Sequence, residues 1–237
     1  MTDPFFRSGV SGVDRMTFDV GLRSYMQSVF AYMGGGLALT GVVAWIVAHT
    51  ALAALLFGSP LRWLVVIAPV GFVMVINLRI QTITASGLKT MFWLFCATMG
   101  LSMGSLFLTY TDASIARVFF ITAADFGAMA LWGYTTKRDL TGMGAFMLMG
   151  MIGLIIASVV NLFMMSSMLQ WMLSVAGVAI FTGLTAWNMQ RIKQSYAESY
   201  GVEANEKMAV FGALSLYMDF INLFYLLMNL MGTTRRN

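Results

Sequence analysis

Seven apolar stretches follow one another along this chain, at about 25–48, 61–78, 90–110, 115–134, 142–165, 169–190 and 208–231. A helix of about 20 apolar residues crosses the roughly 30 Å hydrocarbon core of a bilayer. Inside that core every backbone N–H and C=O must find a partner within the protein, which leaves helices and closed barrels. Barrel strands alternate over segments of about ten residues, and these stretches are twice that length. Charged residues make up 10% of the chain, against about 25% in soluble domains. The chain therefore reads as an all-α integral membrane protein, a bundle of seven transmembrane helices.

The connections are short. Gly58, Ser59 and Pro60 break the first pair of stretches, and residues 111–114 separate the third from the fourth. The only sizeable polar connection is 191–207. No linker divides the chain, so the organisation is a tail over 1–24, a transmembrane domain over 25–232 and a short tail over 233–237. Residues 1–24 carry Asp3, Arg7, Asp14, Arg15, Asp19 and Arg23 without an apolar run or cleavage site, as expected of a cytosolic tail rather than a signal peptide. Basic residues collect on the cytosolic side of membrane proteins. With the N-terminus inside, ten lie inside (Arg7, Arg15, Arg23, Arg79, Lys89, Lys137, Arg138, Arg191, Lys193, Lys207) and four outside (Arg62, Arg117, Arg235, Arg236). Seven crossings put Arg235 and Arg236 outside; a re-entrant last segment would bring them back.

Asp219 lies midway through Met208–Gly232, a stretch with no other charge. It is about 18 Å along a helix from Lys207, and its short side chain cannot snorkel to the interface. A carboxyl at that depth costs about 2.5–3.5 kcal/mol on the gentlest insertion scale, so the protein interior must receive it. Ser215, Asp219, Asn222 and Asn229 fall on one helical stripe, which puts this helix at the centre of the bundle or on a cavity. Other segments offer polar groups: Thr182, Thr185, Asn188 and Arg191; Thr122 with a second acid, Asp125; Ser158 and Asn161; Asn77 and Arg79. Thr and Ser in such helices commonly bond their own backbone, and Asn commonly bonds a neighbouring helix. Arg79 either anchors at the interface or turns inward to Asp219. The glycines, Gly34 to Gly36 and Gly142, Gly144, Gly150 and Gly153 among them, suit close helix packing, and the 22 methionines suit flexible packing.

Enzymatic constellations are missing. There is no HExxH, GxSxG or Walker loop, and Asp125 with Asp219 is the only pair an intramembrane aspartyl hydrolase could use. A single cysteine, Cys96, and a single histidine, His49, offer neither a disulfide framework nor a zinc or haem site. The basic residues flank apolar segments rather than forming a patch, so no nucleic-acid partner is expected. No cofactor is expected either; the partner the composition requires is the lipid bilayer.

Three strings carry a family resemblance. Ala213 to Phe224 (ALSLYMDFINLF) resembles the last-helix signature of the Bax inhibitor-1 family. Arg117 to Leu140 (RVFFITAADFGAMALWGYTTKRDL) is similar to its fourth helix and basic loop, and Phe181 to Lys193 (FTGLTAWNMQRIK) to its sixth helix. The wording of the strings resembles bacterial members, which implies an inner membrane. The resemblance implies seven helices with the last surrounded by the others, and a pH-sensitive leak of calcium as the activity. It also implies a link to the membrane-anchored AAA protease of membrane-protein quality control, a rival reading in which the chain conducts nothing and acts through 1–24 and 191–207.

In that family an aspartate on the sixth helix and one on the last share a proton or meet a basic residue of the second helix. The last-helix aspartate carries over to Asp219, the basic residue to Arg79, and the sixth-helix position to Asn188, where the family acid is absent. Two close carboxyls cannot both ionise cheaply, which makes such a pair a pH switch. Asn188 weakens that switch and removes a carboxylate from any calcium site, since calcium takes about 6–8 oxygens. Asp219 remains the candidate calcium ligand, and Asp125 is a candidate for the missing acid. The expected gate or ion path is Asp219, Asn188, Arg79, Asp125, Asn222 and Ser215.

Overall fold

A computed structural model describes residues 6–79 and 82–235, with side chains from Asp19 onward apart from Glu198. Asp3 and Arg236, and the side chains of Arg7, Asp14 and Arg15, lie outside the described residues. The elements are α1 (Phe6–Ala48), α2 (Leu52–Phe57), α3 (Leu61–Arg79), α4 (Ala85–Thr109), α5 (Asp112–Thr135), α6 (Thr141–Met164), α7 (Ser167–Ser195) and α8 (Gly201–Met231). All but the six-residue α2 are long and apolar enough to cross a bilayer.

The last helix is the hub. In its most apolar window 67% of residues are buried, against at most 33% in any other helix and 6% in α6. It lies against α1, α4, α5 and α7, whereas α3 packs on α4 and α2, and α6 on α7. Lipid tails are as apolar as leucine, so helices in a membrane are held by close packing and hydrogen bonds rather than by exclusion from water. Gly133 shows the close packing: a Cβ there would sit 2.2 Å from the backbone oxygen of Ala186, so α5 and α7 touch backbone to backbone. Other glycines divide. Gly36 and Gly144 face neighbouring rings within 3 Å, while Gly34, Gly142 and Gly153 look onto open space.

Turn chemistry sets the helix starts. Thr84, Thr111 and Ser166 accept from the amides of Gly87, Ser114 and Leu169 at 3.2–3.3 Å, each satisfying an orphan first-turn donor. Just before α6, the Asp139 carboxylate accepts from the amide and hydroxyl of Thr141 at 2.9 and 2.6 Å, which holds it below the usual carboxylate range.

The structure departs from the sequence expectation in three places. Helix α1 continues back through the expected tail to Phe6. The short α2 fills part of the first connection. The connection 191–207 is mostly helix: α7 runs to Ser195, a 3-10 turn spans Glu198–Tyr200, and α8 begins at Gly201. Apolar length marks only the part of a helix inside lipid. Past it, Glu203, Ala204, Glu206 and Lys207 are good helix formers, and Glu203 with Lys207 adds an i, i+4 pair at 3.7 Å.

Helix α8 is one continuous helix from Gly201 to Met231, long and apolar enough to cross fully, with no re-entrant break. At one end of α4, Lys89 pairs with Glu206 at 2.5 Å. Beyond its other end, Arg235 pairs with Asp112 at 2.8 Å, and Thr111 N–H donates to the Thr233 carbonyl at 3.0 Å. Arg235 is thus anchored where the charge bias alone left it out of place; its Nε also donates to the Tyr110 carbonyl at 3.0 Å.

Candidate functional site

Asp219 lies about halfway along α8 between the Glu206 and Arg235 ends, and only 5% of it is exposed. Its carboxylate accepts one hydrogen bond from protein among the described residues, from Asn188 Nδ2 at 2.7 Å. Asn188 is set by α7, which packs along α8. The amide stands where the resemblance implies an acid, and it offers the carboxylate a donor instead of a like charge.

The other expected site residues divide. Ser215 donates to the Phe211 carbonyl one turn back at 3.1 Å, the common self-satisfied state. Asn222 is half-buried and has no hydrogen-bond partner among the described residues. Asp125 is not beside Asp219. It accepts from Thr182 Oγ1 at 2.8 Å, about 9 Å nearer the start of α7 than Asn188 at 1.5 Å per residue. Arg79 is not brought to Asp219 either. It ends α3, is exposed, and makes no ion pair among the described residues. Helix α3 packs on α4 rather than α8, and a long guanidinium at a helix end reaches water instead of entering the core.

Two cavities flank the buried pair. Toward the Glu206 end, a cleft of about 440 Å³ between α7 and α8 reaches Asn188 and Ser215 and holds Arg191 and Lys207 in its wall. On the other side, a cleft of about 540 Å³ between α3, α4 and α8 reaches Met218 and Asn222, with Ser102, Ser105 and Tyr225 further along it. Asp219 itself lines neither. The barrier between the clefts is the packed girth of α8 around it.

Several residues that matter here escaped the sequence reading. Pro69 lies inside α3 and has no N–H to give the carbonyl of Val65; the Ser102 hydroxyl of α4 donates to that carbonyl instead. Thr40 donates to the Cys96 carbonyl at 2.9 Å, so the Tyr217 hydroxyl, 2.7 Å away, donates to Thr40. That buried chain ties α1, α4 and α8 two residues from Asp219. Gln190 is a clamp: it accepts from Leu140 N–H at 2.9 Å and donates to the Arg138 carbonyl at 2.8 Å. Tyr217 could have been found, because a tyrosine hydroxyl buried in an apolar run requires a partner. The Ser102 bond has no sequence signal beyond Pro69.

Among the described residues no three His, Cys, Asp or Glu side chains converge as a metal site would need. Asp219 with Asn188 gives too few oxygens to hold a resident calcium ion, which takes about 6–8.

A model of the family described as "Inhibitor of apoptosis-promoting Bax1" matches residues 22–236. The chain belongs to the Bax inhibitor-1 family. Relatives extend over almost its whole length. An uncharacterized protein of Rickettsia prowazekii (strain Madrid E) is 43% identical over 220 residues, covering 92% of this chain and 93% of the relative. The inner membrane protein YbhL of Escherichia coli (strain K12) is 41% identical over 219 residues, 91% and 94%. An uncharacterized protein of Caulobacter vibrioides is 39% identical over 231 residues, 93% and 92%. The matched region of this Bax inhibitor-1 family member holds α1 from Leu22 onward, the other six long helices and the Asn188–Asp219 pair.

Proposed function

We propose that this protein is a slow, pH-sensitive leak path for calcium, closed around Asp219, in the inner membrane of a bacterium with its N-terminus in the cytosol. The observation that carries the reading is a carboxyl at mid-bundle depth that lies between two clefts and lines neither. A group in that place can break or complete a polar path by changing its charge, because the same carboxyl costs far more to bury charged than neutral. The cation is cargo here. Asp219 and Asn188 would touch it in passing, with Ser215 on one side and Asn222 on the other.

The test is calcium entry into liposomes holding the purified protein, measured across pH for wild type and Asp219→Asn. Asn keeps the shape, and an amide is cheaper than a carboxylate at that depth, so the variant is expected to insert and fold. Its flux is expected to lose its dependence on pH. A variant whose flux tracks pH as the wild type does would end the reading.

Orientation has its own check. With the ten-to-four basic bias pointing inward, a cysteine at the exposed Ser199 position is expected to resist a membrane-impermeant maleimide in intact cells and to react once the inner membrane is opened. Fast labelling in intact cells would invert the topology.

The rival reading, a non-conducting modulator of the membrane-anchored AAA protease, draws on the polar helix ends. Helix α1 continues past Asp19 toward Phe6, and α7 and α8 carry residues 191–207 beyond their apolar spans. Deleting residues 2–20 is then expected to abolish modulation of substrate turnover and leave calcium flux intact. Turnover that is indifferent to the deletion counts against the rival.

A further inference from the structure

We propose that the cleft between α7 and α8 is a binding site for the phosphate-bearing headgroup of an anionic phospholipid. The argument starts from Arg191. It lies one helical turn from Asn188, which itself bonds a carboxylate halfway through the bundle. It is exposed, it stacks its guanidinium 5.4 Å from the centre of the Trp187 ring, and it makes no ion pair among the described residues. An arginine left without a counter-charge near hydrocarbon is costly, and its planar fork matches a phosphate. Three turns above Asp219, Lys207 lines the same cleft. Its only described carboxylate neighbour is Glu203 at 3.7 Å, whose side chain is 67% exposed. Glu206 is already engaged by Lys89 at 2.5 Å. The cleft therefore carries two cations: Arg191, with no ion pair among the described residues, and Lys207, whose one partner is the solvated i, i+4 carboxylate of Glu203.

The choice of a lipid over a free anion follows from which elements build the cleft. Every lining residue comes from α7 or α8, so no third helix closes it. What stands on the open side of two transmembrane helices is the bilayer. Lys207 is at the level of the Lys89–Glu206 pair, where headgroups lie, and Arg191 is deeper. A phosphodiester drawn in between them would have its acyl chains alongside Met208 and Phe211, which line the same wall. A second consequence rests on the leak reading: the unpaired Arg191 and the weakly paired Lys207 in the wall of the cleft repel calcium, and a bound phosphate removes that barrier to Asp219.

The binding claim is tested without any flux measurement, so its failure is separable from failure of the leak. Protein in a neutral maltoside detergent is titrated with phosphatidylglycerol, phosphatidylcholine or sodium phosphate, and its thermal midpoint is read. Wild type is expected to gain roughly 5–10 °C with phosphatidylglycerol at a hundredfold excess over its dissociation constant, and little with the other two. Arg191→Gln/Lys207→Gln should lose that gain, and Arg62→Gln, exposed at the opposite end of the bundle, should keep it. Lys207→Gln alone, whose site is beyond the apolar span, guards against a double variant that fails to fold; it should lose at least half of the gain. A full gain in Lys207→Gln or in the double variant overturns the proposal. So does an equal gain from phosphatidylcholine, or a full gain from sodium phosphate, which would make the cleft a site for free anions.

Discussion

Gly133→Ala is expected to destabilise the bundle by about 3 kcal/mol or more, the upper part of the range for overpacked interiors. The added methyl carbon would lie 2.2 Å from the Ala186 oxygen and 2.8 Å from its Cα and carbonyl carbon. All three are backbone atoms, so no rotamer change relieves the contact, and α5 and α7 must separate. Separation forfeits packing along the whole contact, which is the main attraction between helices in lipid. It also pulls on Thr182–Asp125, the one hydrogen bond seen between membrane-depth side chains of these two helices. The control is Gly153→Ala on α6, where nothing lies within 4 Å of the new Cβ and the change should be neutral or mildly stabilising through helix propensity. Denaturant or thermal unfolding in detergent, run on both variants, checks the contrast. Equal stability of Gly133→Ala and wild type would mean that the α5–α7 contact is not as close as described.

Much of this architecture was legible in the chain because the bilayer imposes a length. The seven apolar helices follow from runs of about 20 residues, and Asp219 requires protein or a cavity beside α8; that α8 is surrounded by the others was implied by the resemblance. The limits of legibility have physical causes too. Apolar length is silent once a helix leaves the lipid, so the helical ends at Phe6–Asp19 and 191–207 read as tail and loop. Asp219 and Asn188 were paired by the resemblance, and the 2.7 Å bond between them agrees with that pairing. The resemblance carried the basic partner of the aspartates over to Arg79, and the structure instead puts Arg79 at the exposed end of α3, because which neighbour α3 packs on is decided by side-chain fit to α4. Asp125 showed the same limit. A sequence reveals that a mid-membrane acid needs a partner and cannot say whether that partner is Asp219 or, as found, Thr182.

Asn188→Asp is the change expected to alter the behaviour of the path most while adding no bulk. Asp and Asn have nearly the same shape, so α7 and α8 can keep their packing. The chemistry between them changes in kind. In the wild type an amide donates to the Asp219 carboxylate at 2.7 Å, and one carboxyl titrates. In Asn188→Asp two carboxyls face each other at that distance. Like charges so close cannot both ionise cheaply, so the pair shares a proton and titrates in coupled steps that belong to neither residue alone. Calcium flux in liposomes is therefore expected to depend on pH more strongly, over a pH range wider than the wild type's, and the added carboxylate oxygen should favour calcium over potassium in mixed-ion assays. Adding Asp219→Asn to Asn188→Asp separates coupling from position: it leaves one carboxyl and one amide at the same interface with their places exchanged, and a single-step pH dependence should return. If Asn188→Asp follows the wild-type curve, the two side chains do not form one titrating unit, and closure of the path has to be sought in the packed residues around α8 instead.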